Sequence, residues 1–344
     1  NTILLIWFER KVVAGMQSRV GPDRAGPFGI LQTLADAIKL LLKEQILPSK
    51  ADRAMYLLAP LIALVPSFLI FMIIPLGPDI TVEWQNALYT IPLVGADLNV
   101  GVLYFLALSS IAVYSVVLAG WSSGSKYPLL GGVRASAQMI SYEAAMGLAL
   151  VPVILYSGSL SLVDIVNSQA GNLSSSIPIL NTIVSFIPKW NIFPQFVAFG
   201  IFFIAAVAEV NRAPFDLVEA EQELVGGFHT EYSGFRFAMF FLAEYINMFN
   251  MCAITATFFL GGWLGPTFEG ILPPIFSVIM PIIWLGVKTF LLLFVFVWIR
   301  ATLPRLRYDQ LMELGWKRMI PLSLVWLILS AIVLGLREFG LPWS

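Results

Sequence analysis

Apolar residues along this chain gather in long blocks with hardly a charge, separated by short polar segments. A hydrocarbon core near 30 Å takes about 20 residues at 1.5 Å each, so every block of about 18 or more reads as a spanning helix. Seven such blocks are complete, near Ala54–Leu76, Val100–Trp121, Ala135–Tyr156, Phe193–Ala213, Phe235–Trp263, Val278–Arg300 and Ile320–Leu336. The opening Asn1-Thr2-Ile3-Leu4-Leu5-Ile6-Trp7-Phe8 has no cationic leader and reads as a truncated first membrane helix, not a signal peptide. The pattern therefore predicts an all-α polytopic membrane protein of eight crossings, forming a single integral membrane domain over residues 1–344.

Between the first two blocks the period changes. In GPFGILQTLADAIKLLLKEQILP, Leu31, Leu34, Ala35, Ile38, Leu41 and Leu42 keep helical spacing while Gln32, Asp36, Lys39 and Lys43 fall elsewhere on the wheel. That predicts an amphipathic interfacial helix over residues 27–47, entered through Gly26-Pro27 and stopped before Pro48. Gly158–Ile192, rich in Ser, Asn and Pro, reads as a surface loop.

Alternating the loops across the membrane puts 17 of the 20 Lys and Arg on one side and only Lys189 and Arg337 on the other, with Lys288 inside a span. The basic side is expected to be cytoplasmic, with both termini outside. Composition agrees with the membrane reading, at 58% apolar and 12% charged against roughly 45–50% and 25% in a soluble domain. A formal charge of −1 gives no basic excess for nucleic acid. One cysteine, Cys252, and one histidine, His229, leave this chain unable to build a disulfide, a four-thiolate cluster or a multi-histidine metal site alone. No dinucleotide or phosphate-loop fingerprint occurs, so redox chemistry is expected in partners.

The carboxylates are unusual for a passive bundle. Glu143 lies eight residues into its span, about 12 Å along the helix, and Glu244 is comparably deep. Such groups cost several kcal/mol unless they face a cavity, find a partner or take up a proton, and they are functional candidates by default. The structural alternative is a pair such as Glu244 with Lys288. The connection over residues 209–235, expected to be a cytoplasmic loop, carries Glu209, Asp216, Glu219, Glu221, Glu223 and Glu231 against one cation, Arg212. If poorly hydrated, these groups must share protons and titrate together. The alternative is a solvated acidic loop that meets a basic partner, against which stand the apolar Phe215, Leu217, Leu224, Val225 and Phe228. His229 is read as either a packing residue or a proton carrier, and Cys252 as a small buried hydrophobe. Trp121, Trp263 and Trp298 read as an interfacial belt, and Arg305 and Arg307 as positive-inside anchors.

Four strings, ERKVVAGMQSRVGPDRAGPFGILQTLADAIKLLLKE, YPLLGGVRASAQMISYE, AEVNRAPFDLVEAEQELVGGFHTEYSG and RATLPRLRYDQLMELGWK, closely resemble the H-type membrane-arm subunit of respiratory complex I, subunit 1 in mitochondria. The resemblance runs over essentially the whole chain and is nearer the bacterial proton-pumping NADH:quinone oxidoreductase. It implies an eight-span heel subunit that helps wall a chamber for a quinone such as ubiquinone or menaquinone and binds no cofactor alone. NADH, FMN and iron–sulfur clusters would lie in partner subunits. The implied partners are the quinone-site and iron–sulfur subunits of the hydrophilic arm, small membrane-arm subunits and antiporter-like subunits, within the lipid of a bacterial plasma membrane. By the same resemblance Glu9, Arg10, Arg19, Asp36 and Lys39 belong to the quinone chamber. Glu209, Arg212, Asp216, Glu219, Glu221, Glu223 and Glu231 belong to the acidic loop, and Glu143 and Glu244 to a buried proton path. No residue here is expected to do redox chemistry. Two departures are Thr33 and Val218, where the family often has Pro; the second loosens the turn before Glu219, because Val neither fixes φ nor removes a donor.

Two rival classes follow. A related hydrogenase or dehydrogenase would keep the fold and change the electron donor; a secondary transporter would use Glu143 and Glu244 as ion sites. The complete acidic loop favours the quinone enzyme over the first, and the lack of a repeat between the halves disfavours the second.

Overall fold

The computed structural model describes residues 2–84, 87–172, 188–216, 225–266 and 275–339. Glu219, Glu221, Glu223 and Val218 lie outside the described residues. Helix α1 (Thr2–Met16) opens the fold, and its Trp7 indole N–H donates to the Phe28 carbonyl at 2.9 Å. That bond seats the tight turn Pro27–Gly29 against α1, after which α2 (Gln32–Leu42) begins. Gly29 sits at φ +75° with its α-carbon so close to Pro22 that a β-carbon would lie 2.1 Å from the Pro22 oxygen. The helix expected over 27–47 is therefore shorter: the turn takes its first residues, and Lys43 is already extended. Leu34, Ile38 and Leu41 of α2 are exposed, whereas Thr33 is buried in its first turn.

Helix α3 (Arg53–Met72) is capped by Asp52, whose carboxylate accepts from the Ala54 amide at 3.1 Å. Pro60 inside it has no N–H, which frees the carbonyl of Tyr56 four residues back. Tyr232 uses that vacated acceptor, donating its hydroxyl to the Tyr56 carbonyl at 3.1 Å. A short antiparallel hairpin, β1 (Ile80–Trp84) with β2 (Ala87–Ile91), follows and departs from the expected all-helical chain. Its residues ITVEW alternate at a period of two, the strand signal.

Helix α4 (Gly101–Ser122) packs along α5 (Lys126–Ser157), whose 32 residues extend about 48 Å and exceed the hydrocarbon core. The expected block, Ala135–Tyr156, is thus only the deeper part of a helix that begins nine residues earlier. Small residues let these helices touch: a β-carbon on Gly120 would meet the Pro128 oxygen at 2.6 Å, and one on Gly132 the Val116 oxygen at 3.0 Å. Next come α6 (Leu162–Ser168), within the expected surface loop, and α7 (Phe196–Glu209). Helix α8 (Gly234–Phe259) and α9 (Ile275–Thr302) follow, and α10 (Tyr308–Glu313) runs through a π-helical turn (Leu314–Met319) into α11 (Ile320–Phe339).

Among the described residues six helices are long and apolar enough to cross a membrane: α3, α4, α5, α8, α9 and the continuous α10–α11 rod. Helix α7 is apolar but has 14 residues, and α1 has 15 with Glu9, Arg10 and Lys11 in its second half. The core is packed by Tyr142, Phe105, Phe202, Phe258, Phe259 and Phe296, all fully buried. Trp121 and Trp298 are exposed, in keeping with an interfacial belt, whereas Trp263 is buried at 5% exposure and belongs to the interior. Cys252 is free and buried.

Lys288 corrects one expectation. Its ammonium donates to the carbonyls of Leu260 (2.6 Å), Gly262 (3.0 Å) and Leu264, just past the end of α8, and lies 4.3 Å from the Trp190 ring centre. A lysine has three donors, so this cap uses all of them. It ties down the turn that follows α8 and places a cation near that helix's negative dipole end, far from Glu244 in the other half of the same helix.

Candidate functional site

The polar interior begins where α7 ends. Glu209 is the last residue of α7, buried inside the bundle, so the expected loop over 209–235 starts one residue later than its first carboxylate. Asn211 then turns the chain at φ +54°, a left-handed conformation that Asn tolerates. The turn is stapled by Gln138 of α5, whose side-chain amide donates to the Ala208 carbonyl (2.9 Å), the Phe215 carbonyl (2.9 Å) and Asn211 Oδ1 (3.2 Å). Gln138 is completely buried, so these bonds have no competition from solvent. They fix Arg212 between two acids.

The Arg212 guanidinium lies 2.8 Å from Glu244 Oε1 of α8 and 3.5 Å from Glu9 Oε1 of α1, and it covers the Tyr245 ring at 4.5 Å. Glu9 is also paired with Arg300 of α9. Its neighbour Arg10 reaches the other way, to Asp36 of α2 at 2.7 Å, and Asp36 also accepts from Gln32 at 3.2 Å. Glu9, Arg10, Gln17, Arg19 and Arg300 line an open cleft of about 680 Å³ beside the α1–α2 turn. Lys39 is exposed on α2 and is not among the residues lining it.

Arg300 also lines a second open cavity, of about 800 Å³, together with Asp216, Arg305, His229, Tyr232 and Phe241. Arg305 pairs with Asp216 at 3.2 Å, and the Leu306 amide donates to the Pro214 carbonyl at 3.0 Å. Arg305, expected as a membrane anchor, thus clasps the loop; Arg307, paired with Asp309 at 3.0 Å, stays exposed. Deeper lies a small cavity of about 80 Å³ bordered by Glu209, Glu244, Asn211, Asn247, His229 and Phe241. Asn247 Oδ1 and Glu209 Oε2 find no protein hydrogen-bond donor among the described residues. A cavity with polar partners and room for two or three waters at about 30 Å³ each is one that hydrates.

From this cavity the polar chain continues inward. The Ser109 hydroxyl of α4 donates to Glu209, and the adjacent Ser110 hydroxyl donates to Glu143 of α5. Glu9 of α1, Arg212 of the turn and Glu244 of α8 are thus paired, Glu244 and Glu209 of α7 share a cavity, and Glu209 and Glu143 of α5 each meet one of two adjacent serines of α4. The second half of the loop re-enters at Gly227–His229. Gly131 permits this, since a β-carbon there would meet the Gly227 backbone at 2.8 Å. Tyr56 donates to the Glu231 carbonyl at 2.7 Å, and its ring stacks on Tyr232 at 4.1 Å. Burial raises the Tyr232 phenol to about 12 and lowers the His229 imidazole to about 4, because each charged form loses its water.

Sequence reasoning missed Ser109, Ser110, Gln138, Asn211 and Asn247, which are uncharged, although Gln138 and Asn211 lie within the strings that carry the resemblance. Only their position inside otherwise apolar blocks marks them.

A family model described as NADH dehydrogenase matches residues 1–331 of the chain. The chain is 52% identical over 339 residues to the second NADH-quinone oxidoreductase H subunit of Geobacter metallireducens, covering 95% of this chain and 89% of that one. It is 48% identical over 340 residues to the protein of the same name from Koribacter versatilis, covering 96% and 92%. To the NADH-quinone oxidoreductase H subunit of Frankia alni it is 51% identical over 332 residues, covering 96% of this chain and 68% of that one.

Proposed function

Because the chain belongs to the family of NADH-quinone oxidoreductase H subunits, membrane subunits of complex I, we propose that it holds the quinone head in the cleft beside α1 and turns quinone reduction into proton movement along its buried carboxylates. What supports the reading is one observation: ion pairs and one hydratable cavity lead from the cleft to Glu209, whose partner Ser109 is the chain neighbour of Ser110, the partner of Glu143 deep in the bundle.

Glu9, Arg10, Arg19 and Arg300 supply charge of both signs at the cleft wall, with Asp36 orienting Arg10 from α2. Lys39 stands at the entrance. Two-electron reduction puts negative charge on a quinone, and that charge acts on Arg300 and, through Glu9, on Arg212. A guanidinium drawn toward the cleft stabilises Glu244 less, and each factor of ten in its proton affinity corresponds to about 1.36 kcal/mol. Protons then redistribute between Glu244, Glu209 and Glu143 through the cavity water and the two serine hydroxyls. Asp216, Glu219, Glu221, Glu223 and Glu231 serve the loop that senses the quinone.

In this reading NADH, FMN and the iron–sulfur clusters belong to partner subunits of the hydrophilic arm, and small membrane-arm and antiporter-like subunits receive the signal. The chain sits in the bacterial plasma membrane with eight crossings, α1 and α7 included, its basic and acidic loops cytoplasmic and its termini outside. The amphipathic segment 27–47 lies along the membrane surface.

The test uses the complete complex in proteoliposomes with Glu143→Gln, Glu244→Gln and Glu219→Gln. Gln keeps size and hydrogen bonding but cannot lose a proton. Glu143→Gln and Glu244→Gln should lower proton pumping and coupled quinone reduction together, by about tenfold or more. Glu219→Gln should depress quinone reduction itself, and a soluble acceptor reduced upstream of quinone should be unaffected in all three. Fully assembled variants with wild-type quinone reduction and pumping would show the carboxylates to be structural.

A further inference from the structure

The open cavity beneath the loop and the small buried cavity share only two described residues, His229 and Phe241. The His229 ring is wedged edge-on among Phe228 (4.9 Å between centres), Phe237 (5.3 Å) and Phe241 (6.1 Å). On its open side stand Asp216, Arg300, Arg305 and Tyr232; on its buried side stand Glu209 and Glu244. Of the two shared residues only the imidazole can carry a proton. Resting on the reading of the buried carboxylates as a proton path, we infer that His229 is the proton relay between the two cavities and that the phenylalanine rings around it keep water from bridging them directly.

Chemically the step is balanced within one ring. A neutral imidazole has one N–H and one lone-pair nitrogen. The lone-pair nitrogen accepts a proton from hydronium in the open cavity, forming one N–H bond and leaving water; the other nitrogen releases its proton to water in the buried cavity, breaking one N–H bond and forming hydronium there. One proton has crossed and the ring is again neutral, in its other tautomer, and a ring turn restores the start. The aromatic wall makes the cation costly, and burial holds the imidazole at about 4, so the ring rests neutral and is charged only in passing. The second shared residue, Phe241, is apolar and gives a water file beside the ring no hydrogen-bond partner. The loop geometry that delivers the ring, with Gly227 against Gly131, is already given by the fold.

The experiment uses the complete complex in proteoliposomes with His229→Gln, His229→Ala and, as reference, Glu244→Gln. His229→Gln fills the site and keeps hydrogen bonding but cannot cycle a proton, so coupled turnover and pumping should fall by about tenfold or more. Reduction of a soluble acceptor upstream of quinone should remain at the wild-type rate. In His229→Ala, added imidazole should restore turnover several-fold in proportion to its concentration, a response that a lost packing contact would not give. Wild-type pumping in His229→Gln overturns the relay, and so does a loss in His229→Ala that imidazole leaves unchanged. If Glu244→Gln fails while His229→Gln does not, the relay falls and the carboxylate path stands; if neither fails, both fall.

Discussion

Arg212→Met removes the guanidinium that lies 2.8 Å from Glu244 and 3.5 Å from Glu9, at a site where both the arginine and Glu9 are about 5% exposed. Met fills much of the volume, so the loss is chiefly one of charge. Taking one partner from a fully buried ion pair costs about 3–5 kcal/mol, an upper bound here because Glu244 is 22% exposed and borders the hydratable cavity. Glu9 retains Arg300, so the cost falls on Glu244 and on the turn that carries residue 212. At about 1.4 kcal/mol per tenfold, local opening around the middle of α8 should become more frequent by at least about tenfold and at most about three orders of magnitude. Hydrogen exchange of amides 242–248 in the purified complex measures that opening. Adding Glu244→Gln replaces the stranded carboxylate with a neutral amide, so the double variant should be better protected than Arg212→Met by about tenfold or more, despite carrying one more substitution. Simple addition of the two single effects would refute the idea that this arginine works as the counter-charge of Glu244.

Three further outcomes are expected. Gln138→Leu leaves the Phe215 carbonyl without its side-chain donor, at about 1–3 kcal/mol, and the Ala208 carbonyl with only the Asn211 amide, and should loosen the 208–216 turn to proteolysis or exchange while leaving the C-terminal half of α5 protected. Because the His229 imidazole is lowered to about 4 in the fold against about 6.5 in an unfolded chain, the unfolded segment binds the extra proton between those values. The loop should therefore lose stability as pH falls from 6.5 toward 4, by up to about 3 kcal/mol, and His229→Gln should abolish that acid sensitivity in a pH series of hydrogen exchange. In a Cys252→Ser background, a single cysteine at Ala170 should react with an impermeant maleimide from outside only; labelling from the cytoplasm would overturn the orientation drawn from the basic loops.

What could be read from the sequence followed from length and composition. Blocks of apolar residues gave the spans because a helix across hydrocarbon has only one solution for its backbone, and Glu143 and Glu244 stood out because a carboxylate among apolar residues is rare. Pairing was harder, because it depends on depth within a span. Lys288 and Glu244 both count as intramembrane, yet they occupy opposite halves of the bundle, and the arginine that meets Glu244 comes from what reads as a loop. Glu209 was grouped with that loop because Asn211 and Arg212 follow it, whereas the helix holds on through residue 209 and delivers the carboxylate to Ser109. The apolar residues of the loop did carry information: Phe215 and Phe228 are both buried, and they anchor the two ends of the segment to the bundle.

The lysine clasp just past the C-terminal end of α8 has a mechanical consequence. With three carbonyls of the following turn tied to one ammonium that is itself packed on Trp190, that end of α8 acts as a pivot. Glu244 stands sixteen residues away from Leu260, a lever arm of about 24 Å at 1.5 Å per residue. Swinging the helix by only about 2° would carry Glu244 through roughly 1 Å, enough to stretch its 2.8 Å contact with Arg212 beyond hydrogen-bond length. Small forces at the cleft thus act with long leverage on the carboxylate, while the far end of the same helix stays where it is.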